Sequence, residues 1–221
     1  MATSTVAAST GRRSLGRIIF RTILVLLLLV IVAGTGVWFW FYHTARASLP
    51  QLDGSITLAG LKSAVTVTHD AHGVPHIAAS SLEDLFFAQG YITAQDRLWQ
   101  MDMTRRSVGG EMAEILPAAS APPAPVSRTT AAPRPRLTWV DYDKQQRILR
   151  LRAVAERVAA QLTERDRAFF EAYARGVNQY IERHRNNLPL EFHALSYTPR
   201  PWSAADSIMV GIGMSQILNP Q

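Results

Sequence analysis

The chain has 221 residues and a formal net charge of +6, enough length for one or two domains. It contains no cysteine, which excludes disulfides, thiolate metal sites and cysteine nucleophiles. Five arginines within the first 46 residues account for most of the excess charge, and the rest carries 18 Lys or Arg against 17 Asp or Glu. Nucleic-acid binding requires clustered cations on the folded part, so we expect no nucleic-acid partner.

Residues 22–42 carry no charged side chain and include an unbroken aliphatic run over 23–32. A helix needs roughly 20 apolar residues to cross the hydrocarbon core of a membrane. Arginines precede this run and aromatic residues end it at 38–42, a pattern typical of a cytoplasmic N-terminus and an outer aromatic belt. The sequence predicts a basic cytoplasmic tail over 1–21 and a single-pass anchor over 22–42. The C-terminal region would then lie in the periplasm or outside the cell.

Two other interpretations of this segment remain open. Ala45-Arg46-Ala47 resembles the cleavage site of a signal peptide, but the apolar core of a signal peptide is usually about 7–15 residues long. A buried core helix is the other alternative. An uncleaved anchor in the cytoplasmic membrane fits the length and the one-sided arginines better than either.

Residues 43–63 read as a linker into the folded region. Residues 64–69 alternate between faces and include β-branched side chains, which predicts a strand. Residues 70–73 form a turn in which Gly73 can adopt a positive φ. Residues 74–78 resume an extended conformation, and the expected result is a short β-hairpin.

A helix is predicted to begin after Ser81, which opens an S-x-x-[DE] cap. Its apolar residues recur every three or four positions and define one buried stripe. The stripe consists of Phe87, Tyr91, Ala94, Leu98 and Met101. Gly90 lies within it, either as a break or where another backbone comes close.

Residues 117–138 are rich in proline and alanine and have no periodicity, so we expect a surface insertion without regular structure. Further helices are predicted over 144–161, over 164–183 after a cap at Thr163, and over 204–218 after a cap at Ser203. These elements indicate an α+β fold. An isolated hairpin is marginal in water, and the apolar helix faces suggest a missing partner.

Three histidines, His69, His72 and His76, lie within eight residues and next to Asp70. Clustered imidazoles can bind zinc or nickel. However, successive side chains on a strand alternate between faces, and no second cluster supplies further ligands. A structural role in the turn is therefore the simpler hypothesis.

The long helix also carries Asp96, Arg97, Asp102, Arg105 and Arg106. Charges three or four residues apart stabilise an exposed helix, so a solvated face is the simpler expectation. A buried ion pair that organises a site is the alternative.

Serine chemistry finds little support in the sequence. The nearest match to G-x-S-x-G is residues 213–217, which lacks the last glycine and lies on a predicted helix instead of a strand-to-helix elbow. Sequence motifs alone therefore give no complete active site.

Residues 64–218 nevertheless resemble the N-terminal part of the penicillin acylase family. The resemblance is strongest in D-x-x-G-x-P-H-I, G-Y-x-x-A-Q-D-R-L-x-Q-M and R-R. The matching residues are Asp70, Gly73, Pro75, His76, Gly90, Tyr91, Gln95, Asp96, Arg97, Gln100, Arg105 and Arg106. Residues 172–178 and 188–206 are also similar. His69 stands where the family usually has arginine, 117–138 has no counterpart, and the sequence ends early.

The resemblance implies the four-layer αββα sandwich of N-terminal nucleophile hydrolases. In that family a precursor cuts itself into α and β chains, and the serine that begins the β chain attacks the amide. The family hydrolyses linear amides between apolar acyl groups and amines, as in β-lactam antibiotics or N-acyl homoserine lactones. Residues 64–221 would then be an incomplete α-chain-like region, inactive without its β-chain partner.

The resemblance also implies substrate-pocket positions near Ser215, Leu218 and Asn219. A structural calcium is expected in the full-length enzyme, with its α-chain ligand beyond Gln221 and none bound by this chain alone. The alternative hypothesis is a truncated or decayed, non-catalytic protein anchored in the membrane.

Overall fold

A computed structural model describes residues 12–47, 49–116 and 138–218. The chain divides into two compact units, Met1–Ala47 and Ser48–Gln221. Most of the predicted insertion at 117–138 lies outside the described residues, as does the first half of the basic tail.

The described part of the first unit, residues 12–47, forms one helix, α1 (Arg12–Ala47), which is longer at both ends than the predicted 22–42. Its segment Gly16–Arg46 includes an 18-residue stretch with a mean hydropathy of 2.7. The hydroxyls of Thr22 and Thr35 donate to the carbonyls of Ile18 and Ile31, so these polar groups are satisfied within the helix. α1 is long and apolar enough to cross a membrane. An N-terminal signal sequence has the same length and composition.

The second unit begins with the predicted hairpin, β1 (Thr66–His69) and β2 (Pro75–Ala78). The strands are antiparallel and pair Thr66 with Ala78 and His69 with Pro75. In the turn, Gly73 has a φ of 76°, which a side chain would disfavour. The fold is therefore mostly helical with a short antiparallel sheet.

The long predicted helix is present as α2 (Leu82–Gly109), followed by a short 3₁₀ turn at Met112–Glu114. Ser81 caps it by accepting a hydrogen bond from the backbone N–H of Asp84 at 3.1 Å. All five residues of the predicted stripe are buried, which confirms the helical period. The backbone departs from helical geometry at Arg97, where φ is −150°, so α2 is kinked.

The single helix predicted over 144–161 is wrong. The chain forms α3 (Trp139–Leu149) and α4 (Leu151–Gln161), separated by Arg150 in the left-handed conformation with φ 52°. α3 begins early because Thr138 and Asp141 form a reciprocal capping box.

The remaining elements are α5 (Glu164–Arg183), α6 (Leu190–Ala194) and α7 (Ala204–Leu218). The predicted caps at Thr163 and Ser203 are present, since each hydroxyl accepts the N–H three residues ahead. The sequence did not predict α6, a single turn that buries Phe192.

The core lies between α2 and α5, where two glycines let the backbones meet. A Cβ on Gly90 would collide with the carbonyl oxygen of Tyr173, and one on Gly176 with the carbonyl oxygen of Phe87. Beside this contact Tyr91 meets Tyr180 edge to face at 5.5 Å, and burial raises the pKa of Tyr180 to about 12. The close approach explains why Gly90 interrupts an otherwise apolar stripe.

Candidate functional site

The last turns of α2 carry three buried charged residues, Asp102, Arg105 and Arg106. Their exposed fractions are 1%, 1% and 7%. The expected solvated face is therefore wrong for these three. Arg105 lies against the turn at 199–202 and the start of α7, and Asp102 and Arg106 lie against Tyr197. Asp96 and Arg97, on the same helix, are exposed as expected. We call Asp102, Arg105, Arg106 and the side chains bonded to them the charge cluster.

Asp102 is the acceptor at the centre of the charge cluster. It accepts hydrogen bonds from Arg105 Nε at 2.7 Å, from Arg106 Nε at 2.8 Å and from the Tyr197 hydroxyl at 2.8 Å. Burial by itself raises the pKa of Asp102, but the charge of Arg105 and the bonds from Arg106 outweigh burial and hold the pKa below its ordinary value. Burial and the neighbouring carboxylate raise the pKa of Tyr197. At neutral pH Asp102 is therefore an ionised acceptor and Tyr197 a neutral donor.

Arg105 joins α2 to a segment almost a hundred residues away. Its Nη2 donates to the carbonyl of Arg200 at 2.7 Å and its Nη1 to that of Pro201 at 3.2 Å. Nη1 also lies 3.7 Å from the carboxylate of Asp206, and the guanidinium lies 5.0 Å from the centre of a Trp202 ring. Burial lowers the pKa of Arg105, but an arginine stays charged at any physiological pH.

Asn178 makes a second link to the same turn. Its side-chain oxygen accepts the N–H of Trp202 at 2.7 Å, and its amide donates to the carbonyl of Trp202 at 2.9 Å. Asp206 in turn accepts from the backbone N–H of Ser203 at 2.9 Å and caps α7. Together, α2 and α5 thus fix where α7 begins.

Next to the charge cluster, further charged side chains pair with Asp206 and with each other. Arg200 Nη2 lies 3.0 Å from Asp206 Oδ1 and 3.7 Å from Glu111, and Glu111 also accepts from Arg152. The buried carboxylates here all face cations or backbone donors. Carboxylates held in such pairs suit fixing the helices in place better than transferring protons.

The hairpin residues of the family motif are arranged differently. Asp70 accepts from the backbone N–H groups of Val74 and His72, and the bond from Val74 lowers the pKa of Asp70. His76 Nε2 lies 3.6 Å from Asp70, with both side chains partly exposed. In the described part of the chain no three His, Asp or Glu side chains are placed to hold a metal ion. These residues therefore build the turn.

Tyr91 and Gln95, also in the motif, lie inside the core. The Tyr91 hydroxyl and the Gln95 amide nitrogen are buried without a hydrogen-bond partner in the described part of the chain. Gln100 is exposed on the opposite side of α2. The residues of the motif thus lie in three places: the core, the charge cluster and the surface.

A groove of about 600 Å³ runs along the exposed side of α2. Its other wall comes from α5 and includes Phe169, Phe170 and Tyr173, while Trp202 and Val210 lie toward α7. Sequence reasoning missed this groove. The sequence signal was Phe86, a large apolar residue that lies beside the predicted stripe of α2 instead of on it.

Ser215 and Leu218, two of the three predicted substrate-pocket residues, do not line this groove. The hydroxyl of Ser215 donates to the carbonyl of Ile212 in its own helix at 2.6 Å, and Leu218 is 72% exposed at the end of α7. Asn219 lies outside the described residues. Their role in substrate binding stays a prediction.

Comparisons with known proteins support the resemblance seen in the motifs. The penicillin amidase family matches residues 64–220. Acyl-homoserine lactone acylase QuiP of Pseudomonas fluorescens is 34% identical over 163 residues, which is 74% of this chain and 18% of that protein. Penicillin acylase 2 proenzyme of a Pseudomonas species is 34% identical over 165 residues, 75% of this chain and 19% of that protein.

A solved structure, a thermostable penicillin G acylase from Alcaligenes faecalis, aligns with a TM-score of 0.55 and 35% identity. The alignment covers 69% of this chain and 72% of that one. The chain spans less than a fifth of the length of the two Pseudomonas proteins above.

Proposed function

Because the chain belongs to the penicillin amidase family, we propose that it forms the N-terminal part of an amidohydrolase. The proposed reaction is hydrolysis of a linear amide between an apolar acyl group and an amine. Relatives named for penicillins and for acyl-homoserine lactones share such an amide, which supports this bond as the target.

The observation that carries the proposal is the position of the family motif in the fold. Arg105, the first arginine of the R-R pair, is buried against the turn at 199–202. That turn belongs to the second matching segment, residues 188–206. Two distant parts of the resemblance therefore meet in one charge cluster. A chance match to a short motif would not place both parts in contact.

We assign these residues a positioning role and the chemical step to a β chain of the same precursor. Ser203 caps a helix and Ser215 bonds its own helix, so neither is paired with a base in the described structure. In the proposed enzyme the side chain of the first residue of the β chain attacks the amide carbonyl, and its α-amino group accepts the proton. An α-amine with a pKa of about 8 suits that role at neutral pH. The C–N bond then breaks, the departing amine takes up that proton, and water hydrolyses the acyl-enzyme to release the acid.

The whole enzyme would adopt the αββα sandwich, with α1 as a single-pass anchor and its N-terminus in the cytoplasm. The described residues hold no group of His, Asp or Glu side chains placed for a metal ion. They supply no cluster of carboxylates of the kind that calcium prefers, and the proposed reaction has no step that uses calcium. Calcium binding elsewhere in the whole enzyme stays a prediction.

The test uses the complete protein expressed from the coding region that contains these residues. We expect two chains on a denaturing gel. We also expect release of amine from a chromogenic phenylacetyl amide, from an N-acyl homoserine lactone, or from both. As the control, the residue found by N-terminal sequencing to begin the second chain is changed from serine to alanine, and we expect amine release to stop. A folded protein that neither divides nor releases amine from short or long acyl amides would support the non-catalytic alternative.

A further inference from the structure

The corner between α3 and α4 presents two large apolar side chains to solvent. Ile148 is 78% exposed and Leu149 is 49% exposed. Among the described residues, Ile148 is the most exposed large apolar residue. Single exposed apolar side chains are ordinary on protein surfaces, but an adjacent pair beside polar residues is a candidate contact for a partner or a membrane.

An open hollow of about 580 Å³ adjoins this corner. Leu149, Val154 and two alanines give the hollow an apolar lining, and Arg150 and Arg157 add positive charge. Glu156 is the one acidic residue of the lining. Apolar surface beside an excess of positive charge complements an anionic phospholipid, which carries its phosphate next to acyl chains.

Arg150 forms the corner itself, with a φ of 52°. The left-handed region disfavours residues that have a Cβ, and a glycine would make the same turn without that cost. The side chains of Arg150 and Arg157 form no ion pair with other residues in the described part of the chain. Unfavourable backbone conformations are concentrated at functional sites, so an arginine kept at such a position points to a role for its charge.

The second unit is joined to α1 by a short stretch of chain. Residues 48–55 lie between the end of α1 at Ala47 and Ile56, which packs against the core. Such a stretch reaches at most about 28 Å when fully extended. With α1 anchored in a membrane, the folded unit stays near the bilayer, and even a weak docking surface acts at a high effective concentration.

We propose that the corner formed by Ile148, Leu149, Arg150 and Arg157 docks on the surface of a membrane that contains anionic phospholipids. The apolar pair enters the boundary between headgroups and acyl chains, and the two arginines bind lipid phosphates. Each of these contacts is weak alone, so docking depends on the anchor for proximity. The inference rests on the proposed function only in taking α1 as that anchor. A second copy of the chain and another part of the precursor are the competing occupants of the corner.

Fluorescence quenching by lipids tests this proposal in the complete protein, reconstituted into vesicles. A fluorescent amino acid that is sensitive to polarity replaces Ile148. The vesicles contain phosphatidylcholine brominated in its acyl chains, either alone or mixed with phosphatidylglycerol. The matched control carries the same amino acid at Val74, an aliphatic residue that is 50% exposed in the hairpin. Residues 64–81 around Val74 include no lysine or arginine.

We expect several-fold stronger quenching at Ile148 than at Val74 in the vesicles that contain phosphatidylglycerol. High salt should weaken the quenching, because it screens charges near a surface. Equal quenching at the two positions, or quenching at Ile148 that does not depend on phosphatidylglycerol, would overturn the proposal. Emission typical of an apolar environment at Ile148 without quenching by bromine would also overturn it, since protein would then cover the corner.

A pair of substitutions tests the role of Arg150. Arg150→Gly suits the left-handed backbone, so the protein should fold at least as well, yet quenching at Ile148 should fall several-fold. Arg150→Lys keeps the charge and should retain most of the quenching. Equal quenching in the two variants would contradict the assigned role of the charge.

The anchor and the reaction have separate readouts. Alkaline carbonate releases docked proteins and leaves spanning helices in place, so we expect the protein to stay with the vesicles. Its release would overturn the anchor on which docking depends. Quenching does not require hydrolysis: quenching without amine release would refute the proposed reaction alone, and amine release without quenching would refute the docking alone.

Discussion

The hairpin turn and the end of α2 carry similar clusters of titratable side chains, yet only one cluster is buried. His76 and Asp70 lie 3.6 Å apart with 65% and 37% of their side chains exposed. Asp102 and Arg105 form a hydrogen bond at 2.7 Å with 1% of each exposed. In both places the residues of the cluster lie within a few positions of one another in the sequence. Contacts from elsewhere in the chain make the difference.

That difference sets the expected cost of breaking each cluster. Exposed ion pairs contribute about 0–1 kcal/mol to stability, since water screens the charges and the side chains lose freedom. Removing one partner of a buried pair costs about 3–5 kcal/mol, because the remaining charge is left without compensation. Substitutions in the charge cluster should therefore lower the free energy of unfolding more than substitutions in the hairpin.

Arg105→Met should have the largest effect. It removes one of the two buried cations that face Asp102, leaving Arg106, and it takes the donor away from the carbonyls of Arg200 and Pro201. We expect a loss of about 3–5 kcal/mol in the free energy of unfolding. Urea denaturation of the complete protein in detergent micelles measures it. The control Arg185→Met breaks an exposed pair with Glu182 and should cost less than about 1 kcal/mol. Equal losses would show that burial is not the cause.

Gly90→Ala tests the apolar half of α2, where the backbone of α5 comes close. The added methyl group would collide with the carbonyl of Tyr173, so we expect a loss of about 1–3 kcal/mol. Gly211→Ala on α7 is the matched control, since a Cβ there meets nothing within 4 Å. That change should leave stability unchanged or raise it by up to about 1 kcal/mol. Both values come from the same denaturation series.

At low pH, protonation of Asp102 should lower the free energy of unfolding more than protonation of Asp70 does. The pKa of Asp102 is lower in the folded state, so its stabilisation is present above the unfolded pKa of about 3.9. The stabilisation is lost as pH falls through the folded pKa. Stability measured from pH 6 to pH 2 should therefore fall less steeply in Asp102→Asn than in the unchanged protein. Asp70→Asn should alter the slope less, and a larger change from Asp70 would refute this assignment.

His76→Ala in the hairpin should have the smallest effect, within about 0.5 kcal/mol, because His76 is mostly exposed. Zinc added in small excess should leave the melting temperature of the unchanged protein where it was. A zinc-dependent rise that His76→Ala abolishes would instead establish the metal site considered from the sequence.

Local patterns predicted most of the fold. The stripe on α2 and the caps at Ser81, Thr163 and Ser203 depend on residues within a few positions, so the sequence alone reveals them. The break at Arg150 is not apparent from the sequence, because an arginine rarely adopts a positive φ. The short helix α6 has no period long enough to detect.

The candidate site was predicted only in part. Spacings of three and four residues among Asp102, Arg105 and Arg106 fit a solvated face as well as a buried cluster. The deciding contacts come from the carbonyls of Arg200 and Pro201, far away in sequence. The groove likewise needs α2 and α5 to be placed side by side before its aromatic wall can be seen.

The most direct test of the central claim is a double-mutant cycle between Arg105 on α2 and Asp206 at the start of α7. Arg105→Met, Asp206→Asn and the double variant are compared by urea denaturation of the complete protein. If the charge cluster joins α2 to α7, the two losses should be coupled by more than about 1 kcal/mol, within the range for residues in one network. Losses that add to within about 0.5 kcal/mol would contradict the claim, because the two side chains would then act independently.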